Sequence, residues 1–346
     1  MTPAYDGYFA DPFVLRLDDG SYVAVGTDPT GGGSGRVFEC LTSGDLLTWT
    51  PHGPVLERLA DPYFDAYWAP ELTVADGRWW MYYSAGHGID GHHIRAAVAD
   101  SPTGPYVDAG ANLTPTERFA IDPHPFTDED GSRYLFFARD VLDAARAGTH
   151  LAVARFEGPT LVGPPMEVLA PSADWQIYER GRLMYGRILD WHTLEGPAVV
   201  RRRGRYWLTY SGGAWTGTGY AVAWASAPHP LGPWTHAPNS ARLLVSDTNG
   251  LSGPGHNSFT VDPNGHDIIA FHAWDQQHTK RQMHLRRVAF DDDGPRLVAP
   301  RTQRPAEQPR GCAVKAPEVR PAKDVSGQWY TPGSSDRSDE ASPPDQ

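Results

Sequence analysis

Apolar and aromatic positions in this chain gather in short runs that recur in a fixed order. Five runs, SYVAVGT, RWWMYYSAG, SRYLFFARD, RYWLTYSGG and HDIIAFHAW, each follow a turn glycine: Gly20, Gly77, Gly131, Gly204 and Gly265. Their aromatic and β-branched content is that of strands. Before the glycines stand DPFVLRLDDG, WAPELTVADG, DPHPFTDEDG, EGPAVVRRRG and HNSFTVDPNG. A third run follows each second one (GRVFECL, HIRAAVADS, HLAVARFEG, GYAVAWASA, MHLRRVAFD), and Gly- and Pro-punctuated junctions lead to a short fourth. Each unit therefore reads as strand, tight turn, strand, loop, strand, loop, short outer strand. The turn glycines are 57, 54, 73 and 61 residues apart. Repetition at that period predicts an all-β five-bladed propeller with four antiparallel strands per blade. A β-sandwich with accidental spacing is the alternative.

Nine residues before the five glycines stand Asp11, Trp68, Asp122, Glu195 and His256. A packed repeat would vary among apolar residues at a matched position. Here it varies among groups that do chemistry. The innermost strands of a propeller run side by side around a central channel, so this register predicts five side chains converging near one axis.

Composition narrows the functional classes. The formal charge is -12 without a basic stripe, which excludes nucleic acid as the expected partner. No apolar run approaches a membrane span. The segment MTPAYDGYFADP has no signal-peptide pattern, so the expectation is a cytoplasmic chain, with secretion after removal of a leader as the alternative. The two cysteines, Cys40 and Cys312, have no metal spacing, and nothing in the sequence supports a bridge between them. Residues 1–305 read as the catalytic propeller. Residues 306–346 are rich in Pro, Ser and charge and read as a mostly disordered tail, with VSGQWY the one segment suited to docking on the rim.

The longest insertion, PSADWQIYERGRLMYGRILDWHTL, carries Trp175, Tyr178, Tyr185 and Trp191. Long aromatic loops in compact domains serve as binding loops or as plain covers, and both readings stand.

Three carboxylates in one pocket repel one another, so at least one should hold its proton near neutral pH. A protonated acid facing an ionised base is what glycosidic bond hydrolysis requires. Taken singly, Asp11 and Asp122 before proline read as turn openers, Glu195 as a loop acid, Trp68 as core and His256 as a satisfied polar residue. The shared register favours the chemical reading. At the axis Trp68 would form a platform for a sugar ring, and His256 would hold a cation or position a water. His87, His92 and His93 are too irregularly placed for a metal site.

These segments resemble glycoside hydrolase family 43. The Asp11-Pro12 opening, Trp68 to Glu71, Asp122 with the turn at Asp128 to Gly131, Glu195 to Pro197 and Gly253 to His256 occur in the family's order over about residues 5 to 300. The resemblance implies an inverting hydrolase of α-L-arabinofuranosyl or β-D-xylosyl linkages in plant cell-wall oligosaccharides; the aromatic insertion from Trp175 to Trp191, closing one end of the site, would favour exo action. It implies Asp11 as general base, Glu195 as general acid and Asp122 as the residue that orients Glu195 and raises its pKa. It implies His256 as a contact to a central calcium or similar ion, with no cofactor required. Trp68, Trp191, Trp215 and Arg281 are the expected sugar contacts. Arg281 would replace a family arginine expected near His284. A non-catalytic sugar- or protein-binding propeller is the opposing class. A fructosidase-like hydrolase is the third reading, and its DPNG segment occurs here only at Asp262 to Gly265.

Overall fold

The computed structural model describes residues 2–28, 35–248 and 250–299. The tail read as residues 306–346, with VSGQWY and Cys312, lies outside the described residues. The described chain is all-β, and its helical content is two three-residue turns, Asp174–Gln176 and Pro238–Ser240. The aromatic and β-branched runs form strands as their composition demands.

The first sheet contains β1 (Ala10–Arg16), β2 (Tyr22–Thr27), β3 (Arg36–Ser43) and β4 (Thr50–Glu57) in that order. The second contains β5 (Ala66–Ala75), β6 (Arg78–His87), β7 (Asp90–Ala99) and β8 (Val107–Asn112). A ten-stranded sheet follows. It holds β9 (Ala120–Thr127), β10 (Arg133–Val141), β11 (Gly148–Glu157) and β12 (Thr160–Leu169), then β13 (Ile177–Met184), β14 (Arg187–Arg202), β15 (Arg205–Gly212), β16 (Ala221–Ala227), β17 (Thr235–His236) and β18 (Arg242–Leu244). Its two antiparallel sets are joined by a short parallel pairing of Gly148 and Thr149 with His192 and Thr193. The last sheet contains β19 (Ser252–Val261), β20 (Asp267–Trp274), β21 (Arg281–Asp291) and β22 (Gly294–Leu297).

Apolar cores fill the spaces between neighbouring sheets. Val25, Leu56, Tyr67 and Met81 pack between the first and second, and Tyr82, Ile94, Leu135 and Phe137 between the second and the ten-stranded sheet. Phe9, Tyr22, Ile268 and Met283 join the first sheet to the last. Each such side chain, when fully buried, contributes about 1.5–3 kcal/mol by leaving water. Cys40 belongs to this packing, and burial pushes its thiol up to about 12.

The turn glycines adopt left-handed conformations, with φ from 71° at Gly77 to 86° at Gly20. A second repeated feature lies upstream. Asp11, Ala69, Asp122, Gly196 and His256 all have positive φ, between 46° and 61°. The ladder register shifts at each of these points, so each is a β-bulge on the first strand of its set. The structural repeat thus equates Ala69 and Gly196 with Asp11, Asp122 and His256. Trp68 and Glu195 stand one residue before the bulge, a one-residue correction to the nine-residue register. Counting back from the turn missed it because the second and fourth hairpins have one residue fewer between bulge and glycine.

The bulge residues tie the sheets together through their backbone N–H groups. Ala69 donates to Thr27 Oγ1 at 2.8 Å, Asp122 to Ser84 Oγ at 2.9 Å and His256 to Ser211 Oγ at 2.7 Å. Asp11 donates to His272 Nδ1 at 3.1 Å, which links the first sheet to the last. Val14 N–H donates to Ser258 Oγ, and that hydroxyl donates to the Pro12 carbonyl, so β1 runs beside β19. The contacts β1–β5, β5–β9, β9–β14, β14–β19 and β19–β1 close a ring of first strands.

Candidate active site

All five side chains singled out by the register line one cavity of about 510 Å³. That volume is typical of a small-molecule site. Trp215 and Arg281 also line it, as does Tyr178 from the aromatic insertion. Trp191 does not. It is buried and packs against Tyr185, so this expected sugar contact is a core residue beneath the insertion. His284 is likewise buried and stacks on Phe271. Arg281, three residues upstream, supplies the guanidinium in the cavity.

Asp11 sits among three cationic or polar partners. Its Oδ1 lies 3.3 Å from Arg281 Nη1, 3.2 Å from His272 Nδ1 and 3.5 Å from His256 Nδ1. Burial opposes its ionisation, but Arg281, His256 and His272 outweigh burial and hold the carboxyl well below the usual range. Arg281 is fixed in turn. Its Nε and Nη2 donate to the Tyr8 hydroxyl, and its guanidinium lies 4.6 Å over the Trp215 ring. Trp215 stacks on Trp274, whose Nε1 donates to the Trp215 carbonyl.

His272 Nδ1 accepts the Asp11 N–H, so its ring proton belongs on Nε2. Burial lowers its pKa to about 4, consistent with that neutral form. Its Nε2 has no hydrogen-bond partner among the described residues.

The other two acids behave oppositely. Burial pushes Glu195 up to about 7, helped by the Asp11 charge and opposed by the Tyr220 hydroxyl, which donates to Oε1 at 2.6 Å. Burial, together with repulsion from Glu195 and Asp11, raises Asp122 well above the ordinary range. Protons on such a pair belong to both members. The cavity therefore pairs one carboxylate held ionised with two that retain protons.

Asp122 is bound to the acid's own backbone. Gly196 N–H donates to Asp122 Oδ2 at 2.9 Å. Trp68 leans edge-on against His92, with ring centroids 3.5 Å apart, and His92 is fully buried. His87 contacts Asp65 and His93 contacts the Thr114 carbonyl, so the three histidines of that segment have separate roles.

His256 Nδ1 lies 3.5 Å from Asp11 Oδ1 and 3.7 Å from Asp122 Oδ2. Burial lowers its pKa, so it stands as neutral imidazole. Among the described residues no group of three or more His, Cys, Asp or Glu is arranged to hold a metal. Calcium prefers a shell of oxygens. The donor set around His256 does not fit a calcium ion held by the protein; an ion there would take its remaining ligands from water.

Several residues escaped the sequence reading. Tyr8, Tyr220 and His272 belong to no spaced motif, and the second-strand segment HDIIAFHAW reads as ordinary strand. Arg182 was hidden among the charges of the insertion, although the insertion's aromatic content marked the region.

Comparisons with known proteins identify the family. The family model for glycosyl hydrolases family 43 matches residues 2–295. An extracellular exo-alpha-(1->5)-L-arabinofuranosidase of Streptomyces avermitilis is 30% identical over 276 residues, covering 76% of this chain and 54% of the relative. An enzyme of the same name from Streptomyces chartreusis is 30% identical over 281 residues, covering 76% of this chain and 79% of the relative. This chain thus spans about half the length of the first and most of the second. The crystal structure of a thermostable family-43 glycoside hydrolase superimposes with a TM-score of 0.72 at 27% identity, covering 84% of this chain and 93% of that one. With the family's motifs in order and its acids in one cavity, this chain belongs to glycosyl hydrolases family 43.

Proposed function

We propose that this protein is an inverting, exo-acting glycosidase that removes α-L-arabinofuranosyl residues, or β-D-xylosyl residues, from plant cell-wall oligosaccharides. The observation that carries this reading is the geometry of one cavity that holds three carboxylates: Asp11 lies 3.3 Å from the Arg281 guanidinium, which favours its charge, while burial of Asp122 and Glu195 favours their protonated forms. Asp11 takes a proton from water as the water oxygen bonds to the anomeric carbon. Glu195 gives its proton to the glycosidic oxygen as the bond from that oxygen to the anomeric carbon breaks. One displacement inverts the centre. Asp122 orients the acid through Gly196. Trp68, Trp215 and Arg281 line the space for the sugar.

The repeated bulge and the ring of first strands support the five-bladed propeller, with the joined sets of the ten-stranded sheet as the third and fourth blades. The arabinofuranosyl choice and a secreted setting draw on the names of the two Streptomyces relatives. Among the described residues no helix is long and apolar enough to cross a membrane.

Turnover of aryl α-L-arabinofuranosides and β-D-xylosides separates an enzyme from a binding module. Asp11→Asn and Glu195→Gln should each lose at least ~10²-fold in kcat, the usual scale of general acid–base catalysis. Full turnover by either variant would refute the assignment. A product released with retained anomeric configuration would refute inversion.

A further inference from the structure

One continuous strand joins the acid to the long insertion. The first half of β14 pairs with β13 as a hairpin, through Met184↔Arg187, Leu183↔Ile188 and Arg182↔Leu189. Its second half pairs with β15 and carries Glu195 opposite Ser211. The hairpin therefore has a fixed relation to the acid.

The hairpin is also clamped. Tyr185 hydroxyl donates to Asp140 Oδ2 at 2.5 Å, beneath the Arg118 guanidinium 4.6 Å over its ring. Arg187 Nη1 donates to Asp143 at 2.9 Å. Arg180 Nη1 and the Gly181 N–H both donate to Asp190 across the hairpin. Such a hairpin is suited to hold a ligand group in place.

Two hairpin side chains line the catalytic cavity, Tyr178 and Arg182. The Arg182 guanidinium lies 4.7 Å over the Tyr178 ring. Its ion-pair contact is Glu179 at 3.6 Å, whose side chain is 57% exposed, and Arg182 acts on Asp140 only at longer range. So long and wet a pair leaves the guanidinium donors available to a ligand. Glu195 is close enough to act on the Tyr178 phenol electrostatically. Ile89, 67% exposed, lines the same cavity.

A general acid protonates the oxygen that departs, so the group beyond that oxygen lies on the acid's side. The base side is occupied by Arg281, Trp215 and Tyr8. We infer that Tyr178 and Arg182 form the leaving-group subsite, in which Arg182, held flat on Tyr178, donates to hydroxyls of an uncharged sugar residue while Ile89 meets its C–H face. This rests on the glycosidase reading and assigns to the hairpin the choice of what the cleaved sugar is attached to.

Glycosyl fluorides test it, because fluoride leaves with no sugar to fill the subsite. α-L-Arabinofuranosyl fluoride and α-1,5-arabinobiose, with β-D-xylosyl fluoride and xylobiose as the parallel pair, are compared for wild type, Arg182→Ala, Arg182→Lys and Tyr178→Ala. The expected result is a loss of ~10- to 100-fold in kcat/KM on the disaccharide for Arg182→Ala, the scale of one charged hydrogen bond. Tyr178→Ala should lose less, and Arg182→Lys should recover part of the activity. On the fluoride each variant should lose several-fold less than it does on the disaccharide. Equal losses on both substrates would show a structural role and overturn the subsite. Unchanged disaccharide turnover would overturn it as well. A wild-type protein inactive even on the fluorides would overturn the glycosidase reading, and the subsite with it.

Discussion

The backbone N–H of Gly196 donates to Asp122 Oδ2 at 2.9 Å, so Asp122 grips the peptide directly after Glu195, the proposed general acid. Gly196 sits at φ 55°, a conformation that glycine adopts at little cost. A methyl group there would meet His256 Cγ at 3.0 Å and Nδ1 at 3.1 Å. Gly196→Ala should therefore displace the bulge and tilt Glu195 away from the glycosidic oxygen. Small misplacements of a catalytic group cost on the order of 10²-fold. The expected outcome is a fall in kcat of at least ~10-fold with a smaller change in KM. Steady-state kinetics of a folded variant at wild-type kcat would remove Asp122 from the positioning role.

The acids also set the pH profile. Asp11 must be ionised, and its low pKa keeps it so throughout the weakly acidic range. Glu195 must be protonated, and it loses its proton as pH rises through about 7. Activity should therefore hold on the acid side and decline above about pH 7. The Tyr220 hydroxyl lowers the Glu195 pKa by donating to Oε1. Tyr220→Phe keeps the ring stacked on His272 and removes that donor. Its alkaline limb should move to higher pH. A kcat/KM profile that moves the other way would contradict the placement of the proton.

Much of this site was legible in the chain because the turn glycines are rigid markers. Each fixes where its hairpin ends, so residues upstream fall near the ring of first strands. The reading was off by one at Trp68 and Glu195 because those two hairpins have one residue fewer between bulge and turn glycine, a difference that leaves no composition signal. Arg281 was found only as a substitute, since its partner Tyr8 is 273 residues away. Trp191 misled because an aromatic in an insertion looks the same whether it faces sugar or core. His272 was silent, since a histidine in a second strand is ordinary until its Nδ1 is seen to accept the Asp11 N–H.

Catalytic burial should cost stability. Glu195 has a folded pKa of about 7, against about 4.3 for an unperturbed glutamate. An acid whose pKa is raised on folding favours the native state fully only below its unfolded pKa. That contribution is lost as pH rises from about 4.3 to about 7. Glu195→Gln removes the titration and keeps an acceptor for Tyr220. The variant should be inactive yet gain thermal stability over wild type, more at pH 8 than at pH 5. Unfolding scans at the two values check this, and a gain independent of pH would mean that the carboxyl is not the source.

His256 decides between bracing and ion binding. Its imidazole stands between Asp11 and Asp122, is buried and is neutral, and its backbone N–H is held by Ser211. The neighbouring carboxylate oxygens are already engaged, Asp11 by Arg281 and His272 and Asp122 by the Gly196 N–H, so any bound ion would be weakly held. Bracing needs no ion. It predicts that prolonged chelation leaves kcat unchanged and that elemental analysis finds no stoichiometric metal. His256→Ala should still lower kcat by ~10-fold or more, because Asp11 and Asp122 lose the group between them and Gly196 loses its packing partner. The Asp11 pKa should rise in that variant, since His256 helps to lower it, and the acid limb of the profile should shift upward. Loss of activity on chelation, restored by calcium in wild type but not in His256→Ala, would instead establish the ion.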